Sequence, residues 1–243
     1  MKDSQGDASS RELADRSWTG FFRVSGVLLI LTALLWFVVS RTAGVLYATG
    51  YPSDPASYLN LVSQHQRLAV ATWSLWIVAD FLLLAPTLAM YVVLLPSNRT
   101  LALLGSLLAM FFNIYDVCVT ELNSLTLVAL SHGFAAATSD TSRAAFLGAA
   151  TYGYYALPIQ TVLSFAIGSL GYLLWCVAMA KSIFPRWVAI FGAVVSVAGV
   201  IGSVSPVVPS SSFLGLLQFV CVPLMAVWFL LVGLRLYRHA SSL

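Results

Sequence analysis

Charge is what this sequence has least of. Of 243 residues, 9% are Asp, Glu, Lys or Arg and 60% are hydrophobic, whereas a soluble domain carries about 25% charged residues. A chain this apolar cannot hide its side chains from water in its own interior, so lipid must be the solvent for most of it. Histidine is also scarce: His65 and His132 fall between apolar runs and His239 lies near the carboxyl end. A metal site needs three or four converging ligands, so neither a metal nor a cofactor is expected. The three cysteines, Cys118, Cys176 and Cys221, all sit within apolar runs with no CxxC spacing, which argues against a disulfide framework or a zinc site. No loop gathers a dense basic cluster, and the net charge of +3 gives no reason to expect a nucleic-acid partner. Phosphate-binding glycine loops, HExxH and Ser-His-Asp spacings are absent too.

What the sequence does contain is long apolar runs. A spanning helix needs about 20 such residues, and six stretches qualify: 19–40, 68–95, 101–130, 154–180, 187–204 and 213–234. The expected fold is all-α, a polytopic membrane protein built as a six-helix transmembrane bundle over residues 19–238. Residues 1–18 read as a disordered cytoplasmic tail and 239–243 as a short cytoplasmic tail. Pro96-Ser97-Asn98-Arg99-Thr100 marks a tight hairpin, 132–143 a small polar loop, and Pro206, Pro209 and three serines a turn. The longest connection, Arg41 to Arg67, carries Tyr47, Tyr51 and Tyr58 and suggests a short interfacial helix.

Orientation follows from the basic residues. With six spans, Lys2, Arg11, Arg16, Arg23, Arg99, Lys181, Arg186, Arg235 and Arg238 fall on one side, and only Arg41, Arg67 and Arg143 on the other. The richer side should be cytoplasmic, with both termini there and the protein in the cell membrane. Small residues recur at helical spacing in the fifth span (Gly192, Ser196, Gly199, Ser203) and the fourth (Ser164, Gly168, Gly171). Such stripes let helix backbones approach closely, either within the chain or in a homo- or hetero-oligomer.

Three acids, Asp80, Asp116 and Glu121, fall inside the apolar runs, where a charge costs at least about 2.5 kcal/mol. Asp80 precedes the hairpin by about 15 residues and Asp116 follows it by about 15, so both lie about 22 Å from the turn. They should be level on adjacent antiparallel helices. If they face each other they cannot both ionise readily. Helical spacing puts Asn113, Asp116, Thr120 and Asn123 on one face, and Trp73, Trp76, Asp80 and Thr87 on another. Glu121 lies nearer the outer boundary, level with Gln160. These acids are the candidate catalytic groups. Trp73, Trp76, Asn113, Tyr115, Asn123, Tyr155 and Gln160, with Gln218 from the sixth span, are candidate ligand-binding residues. The plainer alternative is that buried acids and amides only join helices by hydrogen bonds.

Several segments resemble one known group. Arg23-Val-Ser-Gly26 opens the first span, Phe112-Asn-Ile-Tyr-Asp116 lies in the third, Phe184-Pro-Arg-Trp187 starts the fifth, and Pro223 to Trp228 with Val232-Gly233 lie in the sixth. They are similar to segments of a bacterial family of six-span membrane proteins known as domain of unknown function 4386. Asn113 stands where that family often has arginine, and Met225 near where it often has glutamate. The resemblance implies the six-span fold and carries no activity with it.

Three functions remain open at this stage. One is an intramembrane pocket that binds or transports a small apolar or weakly polar molecule. A second is an intramembrane enzyme on a lipid or isoprenoid, in which a neutral carboxyl donates a proton and aromatic faces stabilise a cation. The third is an accessory or structural subunit whose partners are lipid and other membrane proteins.

Overall fold

The computed structural model describes residues 3–47, 51–208 and 212–241. Among the described residues eight α-helices follow in order: α1 (Asp3–Leu46), α2 (Pro55–Gln64), α3 (Gln66–Leu94), α4 (Arg99–Tyr115), α5 (Leu122–Ala136), α6 (Asp140–Met179), α7 (Arg186–Gly202) and α8 (Ser212–Ala240). A π-helical turn, Asp116–Glu121, joins α4 to α5, and a 3-10 turn, Ser205–Val207, follows α7. No strand occurs among the described residues. Six helical segments are long and apolar enough to cross a membrane: Trp18–Leu46, Gln66–Leu94, Arg99–Ala136, Asp140–Met179, Arg186–Val207 and Phe213–Ala240. The chain is a multi-pass membrane protein.

The spans close into a ring. α1 packs on α3 and α8, α4 on α3 and α6, and α7 on α6 and α8. The ring is filled with aromatic and aliphatic side chains, among them Trp36, Phe112, Tyr172, Trp175, Trp228 and Phe229. The small residues are what allow the helices so close. A Cβ on Gly26 would stand 2.8 Å from the Gly233 carbonyl oxygen across the α1–α8 contact, and one on Gly171 would stand 2.9 Å from that of Gly105 across α4–α6. Gly168 lies against Phe112, and Gly192 against Trp228 and Cys176. Ser164 and Ser196 are fully buried. The Ser/Gly faces suggested for oligomer contacts are therefore already covered by this chain's own helices.

Several boundaries differ from the sequence expectations. The first helix continues back to Asp3 through the stretch expected to be an irregular tail, where Arg11, Glu12, Leu13 and Ala14 are good helix formers. The loop expected at 132–143 shrinks to the residues between Ala136 and Asp140. Ser139 caps α6 by accepting from the Ser142 amide at 3.2 Å, and Arg143 lies 4.6 Å over the Phe134 ring. Pro209 and the serines at 210 and 211 lie outside the described residues.

The spans Arg99–Ala136 and Asp140–Met179 contain 38 and 40 residues, well beyond the roughly 20 that cross about 30 Å of hydrocarbon. α2 packs against α5 and α6. Asp54 caps α2, with Oδ1 accepting from the Ser57 amide at 2.9 Å and Oδ2 from the Ser57 hydroxyl at 2.7 Å. Those hydrogen bonds, the amide's first, hold the Asp54 carboxyl below its ordinary range. Tyr58, Leu59 and Val62 are buried against α5 and α6, so the apolar face of α2 caps this end of the bundle. The Tyr154 hydroxyl donates to the Pro52 carbonyl at 2.6 Å, and Tyr51 stacks on Tyr154. Burial pushes the Tyr51 and Tyr58 phenols above the ordinary tyrosine range.

Candidate functional site

The three intramembrane acids come from two places in the ring. Asp80 lies midway along α3, and Asp116 and Glu121 are the first and last residues of the π turn. At 3.6 residues per turn, positions five apart are about 140° apart around a helix. An i→i+5 turn brings them onto one side, and here both point inward, Asp116 at 5% and Glu121 at 2% exposure. Asp80 is fully buried, and its carboxyl is a near neighbour of Asp116 without a well-formed hydrogen bond between them. The two acids are thus level, as the hairpin arithmetic requires.

Their surroundings are polar without being cationic. No lysine or arginine occurs between Arg67 and Arg99, or between Arg99 and Arg143. Ser164 on α6 donates to Asp116 Oδ1 at 2.6 Å. Both oxygens of Asp80, both side-chain polar atoms of Asn113, Glu121 Oε2 and the hydroxyls of Thr120 and Tyr172 are buried with no hydrogen-bond partner. Tyr172 faces the two aspartates from α6. Buried polar groups left unpaired are uncommon and costly, and here four such atoms belong to two residues on adjacent helices, Asp80 and Asn113.

Those two residues line a cavity of about 70 Å³, together with Phe81, Leu84, Ile114, Val117 and Cys118. Phe81 is 57% exposed and Ile114 53%, and Cys118 is also exposed, so the cavity is a notch in the lipid-facing side between α3 and α4. Asp80 and Asn113 expose 0% and 1% of their surface; the polar groups lie behind the apolar mouth. A second cavity, at Trp36, Phe112 and Tyr172, measures about 10 Å³, room for about one water.

The other candidate residues lie elsewhere. The extra residue of the π turn rotates all that follows it, so Asn123 leaves the Asp116 face. Its Nδ2 donates instead to the Gly153 carbonyl and to Gln160 Oε1, both at 2.9 Å. Gln218 accepts from the Ser205 hydroxyl near the end of α7. Tyr155 is 61% exposed and points away from the bundle. Trp76 packs edge-on against Trp36 at 5.4 Å, Tyr115 stacks on Phe111, and the Trp73 indole N–H is buried without a partner. Two residues at the acids carried only a packing expectation from sequence or none: Ser164, read as part of a small-residue stripe, and Tyr172.

A family profile matches residues 24–236, nearly the whole bundle. The chain belongs to the family described as domain of unknown function (DUF4386). Every residue of the notch and of the acid cluster lies within the stretch matched to DUF4386. No curated protein and no solved structure matches the chain.

Proposed function

We propose that this protein binds a small, membrane-soluble molecule that enters sideways from the bilayer, with its polar end at Asp80 and Asn113 and its apolar remainder along Phe81 and Ile114. The observation that carries this reading is the lipid-facing notch itself, behind whose apolar wall four polar atoms of Asp80 and Asn113 are buried without a well-formed hydrogen bond. Such atoms are costly to leave unpaired in an apolar surrounding, and a ligand supplying hydrogen bonds would stabilise them. Ligand pockets for drug-sized molecules measure about 300–1,000 Å³. A notch of about 70 Å³ therefore suits one end group rather than a whole molecule. Its position between two neighbouring helices favours binding from the bilayer over passage between aqueous faces.

The enzyme reading has less support. Tyr172 lies near the aspartates, but an acid-initiated cyclase needs room for substrate there, and the cavity at Trp36, Phe112 and Tyr172 measures only about 10 Å³. We assign the bundle to the cell membrane, with the α3–α4 and α6–α7 turns on the cytoplasmic side, because Arg99, Lys181 and Arg186 gather there.

Lipidomic mass spectrometry of the protein purified in mild detergent tests the binding reading. Wild type should carry a stoichiometric membrane-soluble compound that Asp80→Asn and Asn113→Leu retain poorly. The reading fails if all three proteins retain the same small-molecule complement.

A further inference from the structure

We infer that the paired carboxyls of Asp80 and Asp116 form a proton-binding site that fills and empties through the α2 end of the bundle, by way of Glu121. The pair lies behind the apolar wall of the notch, and the site does not depend on what the notch holds. The two carboxyls are in hydrogen-bonding reach of each other. Ionised carboxylates only accept hydrogen bonds and repel one another, so a pair this close in an apolar surrounding holds at least one proton. No cation from α3 to α6 takes the proton's place: the sequence has no lysine or arginine between Arg67 and Arg99, between Arg99 and Arg143, or between Arg143 and Lys181.

Two hydroxyls are aimed at the pair. Thr120 lies beside Asp116, and Tyr172 faces both aspartates from α6. Both residues are more than nine-tenths buried and neither hydroxyl has a well-formed partner. A hydroxyl both donates and accepts, so each can hand a proton on. The titratable groups facing the pair are few among the described residues. α3 contributes Asp80, the π turn Asp116 and Glu121, and α6 Tyr172. Tyr115 stacks on lipid-exposed Phe111, and Cys118 is exposed. The buried faces of α1, α4 and α5 carry no titratable side chain.

The two directions away from the pair differ. Toward α2, the π turn sets Glu121 on the side of Asp116, with Oε2 buried and unpartnered. Glu121 in turn faces Tyr47 and Tyr58, whose hydroxyls are 3.5 Å apart, and the neighbouring Tyr51 is exposed. Thr72 and Trp73 of α3 add two more unpartnered polar side chains to this half. Toward the α3–α4 turn, the Thr87 hydroxyl is bound to the Leu83 carbonyl and Ser106 accepts from Trp175. Leu83, Met90, Leu94, Ala102 and Ala109 fill the space between. Ser25 of α1 is unpartnered as well, but about 10 Å of helix separates it from Thr32, whose hydroxyl is bound to the Ala79 carbonyl. Loading therefore breaks one O–H bond of a hydronium at the α2 face and forms one on Glu121. Glu121 passes that proton to the aspartates, which become less negative by one charge, and a water stays outside.

Infrared spectroscopy of the full chain in phosphatidylcholine nanodiscs tests this, as light-water buffer is replaced by heavy-water buffer. Wild type should show a protonated-carboxyl C=O band that shifts on deuteration, and Asp80→Asn and Asp116→Asn should each remove or displace it. Glu121→Gln should keep the band and slow its deuteration about a hundredfold, the lower end of what a positioned acid–base group gives a proton transfer. Tyr58→Phe, which removes only a hydroxyl, should slow it in the same direction. Ser25→Ala and Thr87→Val, toward the α3–α4 turn, should exchange at the wild-type rate. A carboxyl spectrum that neither aspartate variant changes overturns the proton site. Wild-type exchange in both Glu121→Gln and Tyr58→Phe, or equal slowing by Thr87→Val, overturns entry from the α2 end.

Discussion

Ser164 on α6 donates a 2.6 Å hydrogen bond to Oδ1 of Asp116, tying the π turn to the helix behind it. Among the described residues it is the one well-formed hydrogen bond from a neighbouring helix to the paired aspartates. Ser164→Ala should lower the thermal stability of the detergent-solubilised protein by about 0.6–1.7 kcal/mol, the range for interhelical hydrogen bonds in membranes. Asp116→Asn should cost less, because an amide oxygen still accepts from the serine. An equal loss in the two variants would mean that Ser164 contributes packing rather than this bond.

The α1–α8 seam depends on two glycines. A Cβ on Gly26 meets backbone atoms, the Gly233 oxygen at 2.8 Å and the Tyr237 nitrogen at 2.9 Å, and backbone cannot swing away as a side chain can. Gly26→Val should destabilise the bundle by about 1–3 kcal/mol through overpacking. Gly20→Ala, where nothing lies within 4 Å, should be neutral or slightly stabilising. Denaturation curves for the pair, recorded in the same detergent, separate close packing from helix propensity.

The α2 cap is held by Asp54. Its carboxyl is depressed below the ordinary range, chiefly by the Ser57 amide, so its contribution is present above the unfolded carboxylate value and is lost as pH falls through the lower, folded one. Hydrogen exchange should show α2 amides protected at neutral pH and released in strongly acid buffer. Asp54→Ala should release them at every pH and leave α3 and α6 unchanged. Unaltered α2 exchange in the variant would mean that Tyr58 and Leu59 hold the helix without the cap.

Orientation is testable with single cysteines. Ser53 and Thr100 are both exposed, at opposite ends of the bundle. In intact cells a membrane-impermeant maleimide should modify Ser53→Cys and spare Thr100→Cys until the membrane is opened. The reverse pattern would invert the assigned topology.

The π turn shows where sequence reading stops. Regular helical spacing puts Asp116 with Asn123 and turns Glu121 away. The structure pairs Asp116 with Glu121 and sends Asn123 to Gly153 and Gln160. One extra residue per turn carries no mark in a run as uniformly apolar as this, so Asn123 leaves the face that spacing assigns it, while Thr120 stays buried beside Asp116. Asn113, one turn earlier, stayed where the spacing put it, beside the acids.

The sequence by itself determined that the chain is a six-span helical membrane protein and that Asp80 and Asp116 sit at one depth. Hydrocarbon demands about 20 apolar residues per crossing, and a tight hairpin sets equal heights by counting residues on either arm. Only the tertiary structure decided which helices are neighbours in the ring, that α2 caps it, that the Ser/Gly faces are filled from within, and that Asp80 and Asn113 lie buried behind a lipid-facing notch. In a chain apolar on nearly every face, hydrophobic periodicity does not distinguish a side that meets lipid from one that meets protein. That choice rests on shape complementarity between helices, which appears only when all of them are packed together.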